Sequence, residues 1–182
     1  MREVSRKETR GTPDTRLTRL AAQIDALAEK DEKTIEESRR IAALRCSAAA
    51  ELHRACSDFV ASVNALLKRT VIALDPSEYS ERAFREDGPN LIQINARGRV
   101  LEVEFAATAG MLSTEDFRIP YTLEGAVRAF NQELLEKAAI EEQLLFFTVE
   151  KHRALWRFFD ARTYRSGPFD REYLMTLMER LI

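Results

Sequence analysis

Between Asp14 and Leu74 the chain holds neither glycine nor proline. The two residues that most readily break a helix are missing there, and the stretch reads as helical throughout. A helix over that span would be roughly 90 Å long at about 1.5 Å per residue, more than a domain of this size buries along one side. It therefore needs a partner, either a second copy or a return segment of its own chain.

Other absences bear on chemistry. There is no phosphate-cradling glycine loop, no paired-glycine motif after a strand, no serine elbow, and neither an HExxH nor a CxxC spacing. With two histidines in the whole chain, a histidine mechanism has few candidates. Cys46, His53 and Cys56 are the one group worth weighing as metal ligands. His53 and Cys56 share a helix face, but Cys46 lies two turns back, roughly 10 Å along the axis. One helix cannot gather all three around an ion and no fourth ligand is in view, so the expectation is packing positions, no metal and no cofactor. Glu102 and Glu104 fall on one strand face, and without a partner base they read as a wet surface. His152, between Lys151 and Arg153, reads as a solvated turn residue. No apolar run is long enough to cross a membrane, and Met1–Pro13 is polar without an apolar leader core, which points to a cytoplasmic location with reduced cysteines. A net charge of −2 is too small to imply an acidic or basic partner by itself.

What is present is a change of period. Leu17, Leu20, Ile24 and Leu27 step by three and four residues, a heptad seam. Glu29–Lys33 interrupts it with charge. Beyond, Ile41, Leu44, Ala48, Leu52, Ala55, Phe59, Val63, Leu66, Thr70 and Leu74 follow an eleven-residue repeat, which winds straight or slightly right-handed where heptads wind left-handed. The two parts thus prefer different geometries. Thr34–Glu37 fits a capping box, so residues 14–74 form either one coiled-coil-like rod or a helical hairpin that restarts at Thr34. The expected self-association face is Leu17, Leu20, Ile24, Leu27, Ile41, Leu44, Leu52, Phe59, Val63 and Leu66.

The remainder reads in order as follows. Residues 1–13 form a disordered tail. Asp75, Pro76, Ser77 and Glu78 carry a second cap and predict a short helix to about Arg85, then a linker whose turn at Asp87–Asn90 marks a domain boundary. From Leu91 the period is two: Ile92, Ile94 and Ala96, then Leu101, Val103 and Phe105, make a hairpin around Arg97 and Gly98. Ala106–Asp116 reads as a loop and Phe117–Tyr121 as a short strand. Leu123–Ala138 reads as an amphipathic helix with Val127, Phe130, Leu134 and Ala138 on one face. Leu144–Glu150 and Ala154–Asp160 make a second hairpin, and Ser166–Pro168 a loop. Asp170 caps a last helix, Arg171–Ile182, that turns Leu174, Leu177, Met178 and Leu181 inward, with a staple between Phe169 and Leu174. The fold class is α+β: a long N-terminal helix followed, over residues 91–182, by a small antiparallel sheet domain with two helices.

Two functional expectations follow. The first is a non-enzymatic interaction protein that forms a homo-oligomer, a dimer in the first instance, through its long helix, and presents the α+β domain to a protein partner. The second is a single-stranded nucleic-acid module built on the second hairpin, where Arg153, Arg157, Arg162, Tyr164 and Arg165 interleave with Trp156, Phe158 and Phe159; Glu150 and Asp160 among them weigh against it. The order of elements also resembles that of small dimeric secretion chaperones built from helices and a sheet. No motif accompanies that likeness, which implies a chaperone-like adaptor by fold analogy alone.

Overall fold

The glycine-free stretch folds as helix α1 (Pro13–Asn64). The structure, a computed structural model, describes residues 13–131, 141–151 and 153–182; the tail, most of the second half of the expected 123–138 helix, and His152 lie outside them. Contacts divide the chain into two units, with the boundary between Arg40 and Ile41.

In the first unit every residue from Asp14 to Arg40 is exposed. No hairpin forms at Thr34. Its hydroxyl donates to the Lys30 carbonyl (3.0 Å) and Ser38 donates to the Thr34 carbonyl (2.9 Å), the back-bonding of residues inside a helix rather than at its start. The charged interruption serves the helix as well, since Lys33 pairs with Glu29 at 2.7 Å one turn away.

In the second unit α1 continues to Asn64 and stops there, short of the expected Leu74. Asn64 ends it: its side-chain amide donates to the Ile72 carbonyl (2.9 Å) and its oxygen accepts from the Ile72 N–H (2.8 Å). Thr70, Val71 and Ile72 are β-branched and favour the extended chain that follows. Strand β1 (Ala73–Asp75) then pairs with the next strand, Asp75 opposite Gln93. Committed to a ladder, Asp75 cannot cap a helix, and the expected helix 76–85 shrinks to a single 3₁₀ turn at Glu81–Ala83.

Strands β2 (Asn90–Ala96), β3 (Arg99–Leu112), β4 (Tyr121–Phe130), β5 (Glu141–Glu150), β6 (Arg153–Asp160) and β7 (Arg165–Pro168) complete a seven-stranded antiparallel sheet in which each strand lies beside its neighbours in sequence. The β2–β3 turn has φ of 57° at Arg97 and 91° at Gly98, the left-handed pair that matches the twist of a tight hairpin. Strand β3 runs through most of the expected loop 106–116, and Phe117–Ile119 precedes β4 as a loop held by Thr114, whose N–H donates to the Phe117 carbonyl (2.9 Å). The expected helix from Leu123 is strand β4 over its described part. Leu123, Val127 and Ala129 are spaced for one strand face, Val127 and Phe130 for a helix face, so the spacing fits both; Gly125 and two flanking strands settle it. Strand β7, an edge strand ending in Gly167 and Pro168, replaces the expected loop.

Helix α2 (Arg171–Leu181) forms as expected. The Asp170 carboxylate accepts the Tyr173 N–H at 3.0 Å, and Leu174, Leu177, Met178 and Leu181 are buried. Both helices join one core with the sheet: Ala48, Ala49, Leu52, Cys56 and Phe59 of α1 and the α2 residues pack with Ile92, Leu101, Val103, Phe105, Val127, Leu145, Phe147 and Trp156. Alternation sends the other side chains to the opposite face, where Phe117, Tyr121, Phe146 and Phe159 form a separate aromatic cluster. A register shift between Tyr121 and Leu123 lets these two residues, which would otherwise share a face, serve different clusters. The chain is α+β.

Gly125 sits opposite Phe105 and Leu145. A Cβ there would lie 2.0 Å from the Glu104 carbonyl oxygen and 2.7 Å from the Phe105 Cα, both backbone atoms that cannot turn aside. Gly125→Ala is therefore expected to destabilise the sheet domain by about 3 kcal/mol or more, measured by urea unfolding; a loss under about 1 kcal/mol would mean that β3 and β4 are not this close.

Candidate interaction surface

The expected self-association face divides between two environments. Leu17, Leu20, Ile24 and Leu27 line one stripe of α1 and are 52–65% exposed, unusually open for large aliphatic side chains at heptad spacing. Ile41 is half-buried. Leu44, Leu52, Phe59 and Val63 face the chain's own sheet, Leu52 and Phe59 fully inside the core and Leu44 and Val63 at its margin. Leu66, past the end of α1, is 81% exposed.

Polar side chains, among them Arg45, which spacing did not single out, bind α1 to the rest of its unit. Arg45 is buried, yet its guanidinium reaches the Thr122 carbonyl (3.1 Å) and hydroxyl (2.8 Å), the Thr108 carbonyl (2.6 Å) and the Glu86 carboxylate. These groups satisfy a cation that would otherwise be costly to bury. Trp156 donates its indole N–H to the Ala48 carbonyl at 2.8 Å. His53 has its Nε2 2.7 Å from the Pro76 carbonyl oxygen and stacks on Tyr79, ring centroids 5.3 Å apart. Burial pushes the Tyr79 hydroxyl up to about 12. His53 is thereby engaged by the chain's own backbone, and among the described residues no group of three or more His, Cys, Asp or Glu side chains could hold a metal ion.

The basic residues of the second hairpin do not gather. Arg153 and Arg157 lie on the face of β6 opposite α1 and α2, with Arg157 paired to Glu150 at 3.2 Å. Arg162 and Arg165 line a shallow depression beside α2 together with Asp160, Asp170 and Glu172. In the turn, the Thr163 hydroxyl and the Arg162 and Thr163 N–H groups hold the Asp160 carboxyl below its ordinary range. Trp156 faces the core, Phe158 stacks on Tyr173 at 4.1 Å and Phe159 belongs to the second cluster, which leaves Tyr164 as the exposed aromatic. Glu102 and Glu104 share Arg128 (3.4 and 2.6 Å) with Glu142 (2.7 Å), so the two carboxylates form an ion-pair ladder across β3, β4 and β5.

A second apolar surface opens within the sheet unit. The end of α1, the 65–72 segment, the β2–β3 turn and α2 enclose a groove of about 380 Å³. Its apolar lining includes Val63, Leu66, Val71, Met175, Met178 and Ile182, and the exposed Arg97, Arg99 and Arg171 line it as well. The eleven-residue repeat reached Leu66 but assigned it to a helix that has already ended, so the groove was not visible as a site.

No protein-family model matches the chain, and no curated protein or solved structure matches it.

The two cysteines of α1 report on its packing. Burial, then Glu86 and Glu81, raise the Cys46 thiol, and complete burial pushes Cys56 up to about 12 from 9.0. At pH 8 a disulfide reagent should modify Cys46 slowly and Cys56 only as fast as the domain opens. Because burial raises the folded Cys56 thiol above its unfolded value of 9.0, the thiol leaves stability untouched well below pH 9 and lowers it progressively as pH rises from about 9 towards 12. Cys56→Ala should make the alkaline fall shallower, the raised Tyr79 and Tyr173 hydroxyls keeping the remainder, and equal, rapid labelling of both thiols would contradict the burial of α1 on the sheet.

Proposed function

We propose that the chain is a non-enzymatic interaction protein that self-associates through the first part of α1 and offers its α+β domain to a protein partner. One observation carries the reading: four large aliphatic side chains at heptad spacing, Leu17, Leu20, Ile24 and Leu27, stand open in a stretch where every described residue is exposed. A single exposed helix is marginal in water, and pairing along such a stripe is the general way to stabilise it.

Register supports close packing. With Leu17 and Ile24 at a, and Leu20 and Leu27 at d, the flanking e positions are Ala21 and Ala28. Small flanks let two backbones approach, and no like-charged e and g residues face each other across a parallel pair. Leu44, Leu52, Phe59 and Val63 are left out of this seam because they are occupied in the core.

Leu20→Glu with Ile24→Glu should convert a concentration-dependent dimer into a monomer in sedimentation equilibrium, with the urea midpoint of the sheet domain unchanged. Leu52→Ala should do the reverse, lowering stability by about 2–5 kcal/mol while leaving the association constant alone. A Leu20→Glu, Ile24→Glu variant with the mass of the parent would overturn the seam.

A further inference from the structure

The groove at the end of α1 differs from the helix seam in charge, and the difference says what it accepts. Leu66 and Val71 are 81% and 70% exposed, Met175 and Ile182 are also open, and together they form one apolar surface rather than scattered residues. Around it stand Arg97, Arg99 and Arg171, with Lys68 and Arg69 exposed on the same 65–72 segment and Glu179 the one acidic side chain among the lining residues. Among the described residues none of these five cations has an ion-pair partner, whereas Arg40, Arg45, Arg128 and Arg157 each have one. Unneutralised cations around an apolar floor complement an apolar segment flanked by carboxylates. The methionines suit it too, since an unbranched thioether adapts to differently shaped anchors.

We infer that this groove is the partner-binding site of the α+β domain and that its ligand is a short amphipathic segment of another protein, with bulky aliphatic or aromatic anchors between flanking acidic residues. The inference rests on reading the domain as a partner-binding unit. A second copy of this chain fits the groove poorly. The seam of α1 is an open apolar stripe it would offer, and the positions beside that seam, Asp14, Arg16, Ala21, Gln23, Ala28 and Lys30, carry no net negative charge to set against a basic rim. Val71 and Leu66 supply contact area, Arg97 and Arg171 supply the sign of the partner, and helix-in-groove docking at i, i+4 and i+7 spacing is the mode such a surface supports.

The probe is a fluorescein-labelled helical peptide of about 16 residues with leucines at i, i+4 and i+7 and glutamates at the flanking positions, titrated with the full chain and read by anisotropy. Saturable binding is expected, weakened about tenfold or more when lysines replace the glutamates, and to a similar degree by Arg97→Glu with Arg171→Glu or by Leu66→Ser with Val71→Ser. All four residues stand at the groove's edge or are largely exposed, so these variants should keep the urea midpoint of the parent, which guards against misfolding as the cause. Binding should also fall as salt rises from about 50 to 500 mM. Equal binding of the lysine peptide, or binding indifferent to both double variants, overturns the acidic partner. A loss of dimer mass in Leu66→Ser, Val71→Ser identifies the occupant as a second copy and overturns it as well. Unchanged peptide binding by Leu20→Glu, Ile24→Glu separates this groove from the seam, so either site can fail without the other.

Discussion

The packing of α1 residues 44–63 onto one face of the sheet is the contact on which the rest depends. A seven-stranded antiparallel sheet has two faces, and two helices among the described residues serve one of them. Ala48 and Ala49, with almost no side chain, bring the helix close enough for the Trp156 indole to reach the Ala48 carbonyl, and Leu52, Cys56 and Phe59 fill the space this creates. Among the described residues the opposite face carries instead a small aromatic cluster sealed by Phe117 and Tyr121, and a ladder of carboxylates around Arg128. Arg45 fits the same picture. A buried guanidinium is tolerated because the β3 and β4 backbone, at Thr108 and Thr122, supplies the acceptors where helix and sheet meet.

The change of period along α1 now has a physical meaning. The eleven-residue repeat keeps one straight stripe over the sheet, which needs no supercoil, and it stops being useful where the helix stops. The heptad residues Leu17–Leu27 are exposed among the described residues and keep the spacing that suits another helix. Reading both stripes as one self-association face merged a core with a surface, because periodicity reports that a stripe is apolar and not what it packs against.

Much of the fold was legible where local chemistry and period agree. The Arg97–Gly98 hairpin, the alternation of Ile92, Ile94, Leu101, Val103 and Phe105, the strong β5–β6 pair and the Asp170 cap all carry their signal within a few residues. The losses came where long-range pairing decides. Val127 and Phe130 satisfy a helix as well as a strand; Asp75–Pro76 has the form of a helix start until β2 claims Asp75; and Arg165–Pro168 becomes a strand only because β6 offers an edge. The groove is of the same kind. Leu66, Val71 and Met175 are far apart in sequence, and only the turn at Asn64 and the return of α2 put them on one surface.

Amide hydrogen exchange on the intact chain, followed from about 1 to 100 μM protein, tests the central claim that α1 serves two different partners along its length. Amides of residues 17–27 are expected to gain protection as concentration rises if a second copy completes that seam, while amides of residues 48–60 are expected to be protected equally at every concentration, since the sheet of the same chain covers them. Exchange at 17–27 that ignores concentration would remove the seam. Protection at 48–60 that falls on dilution would mean that the core itself is built between copies, and would contradict the account at its base.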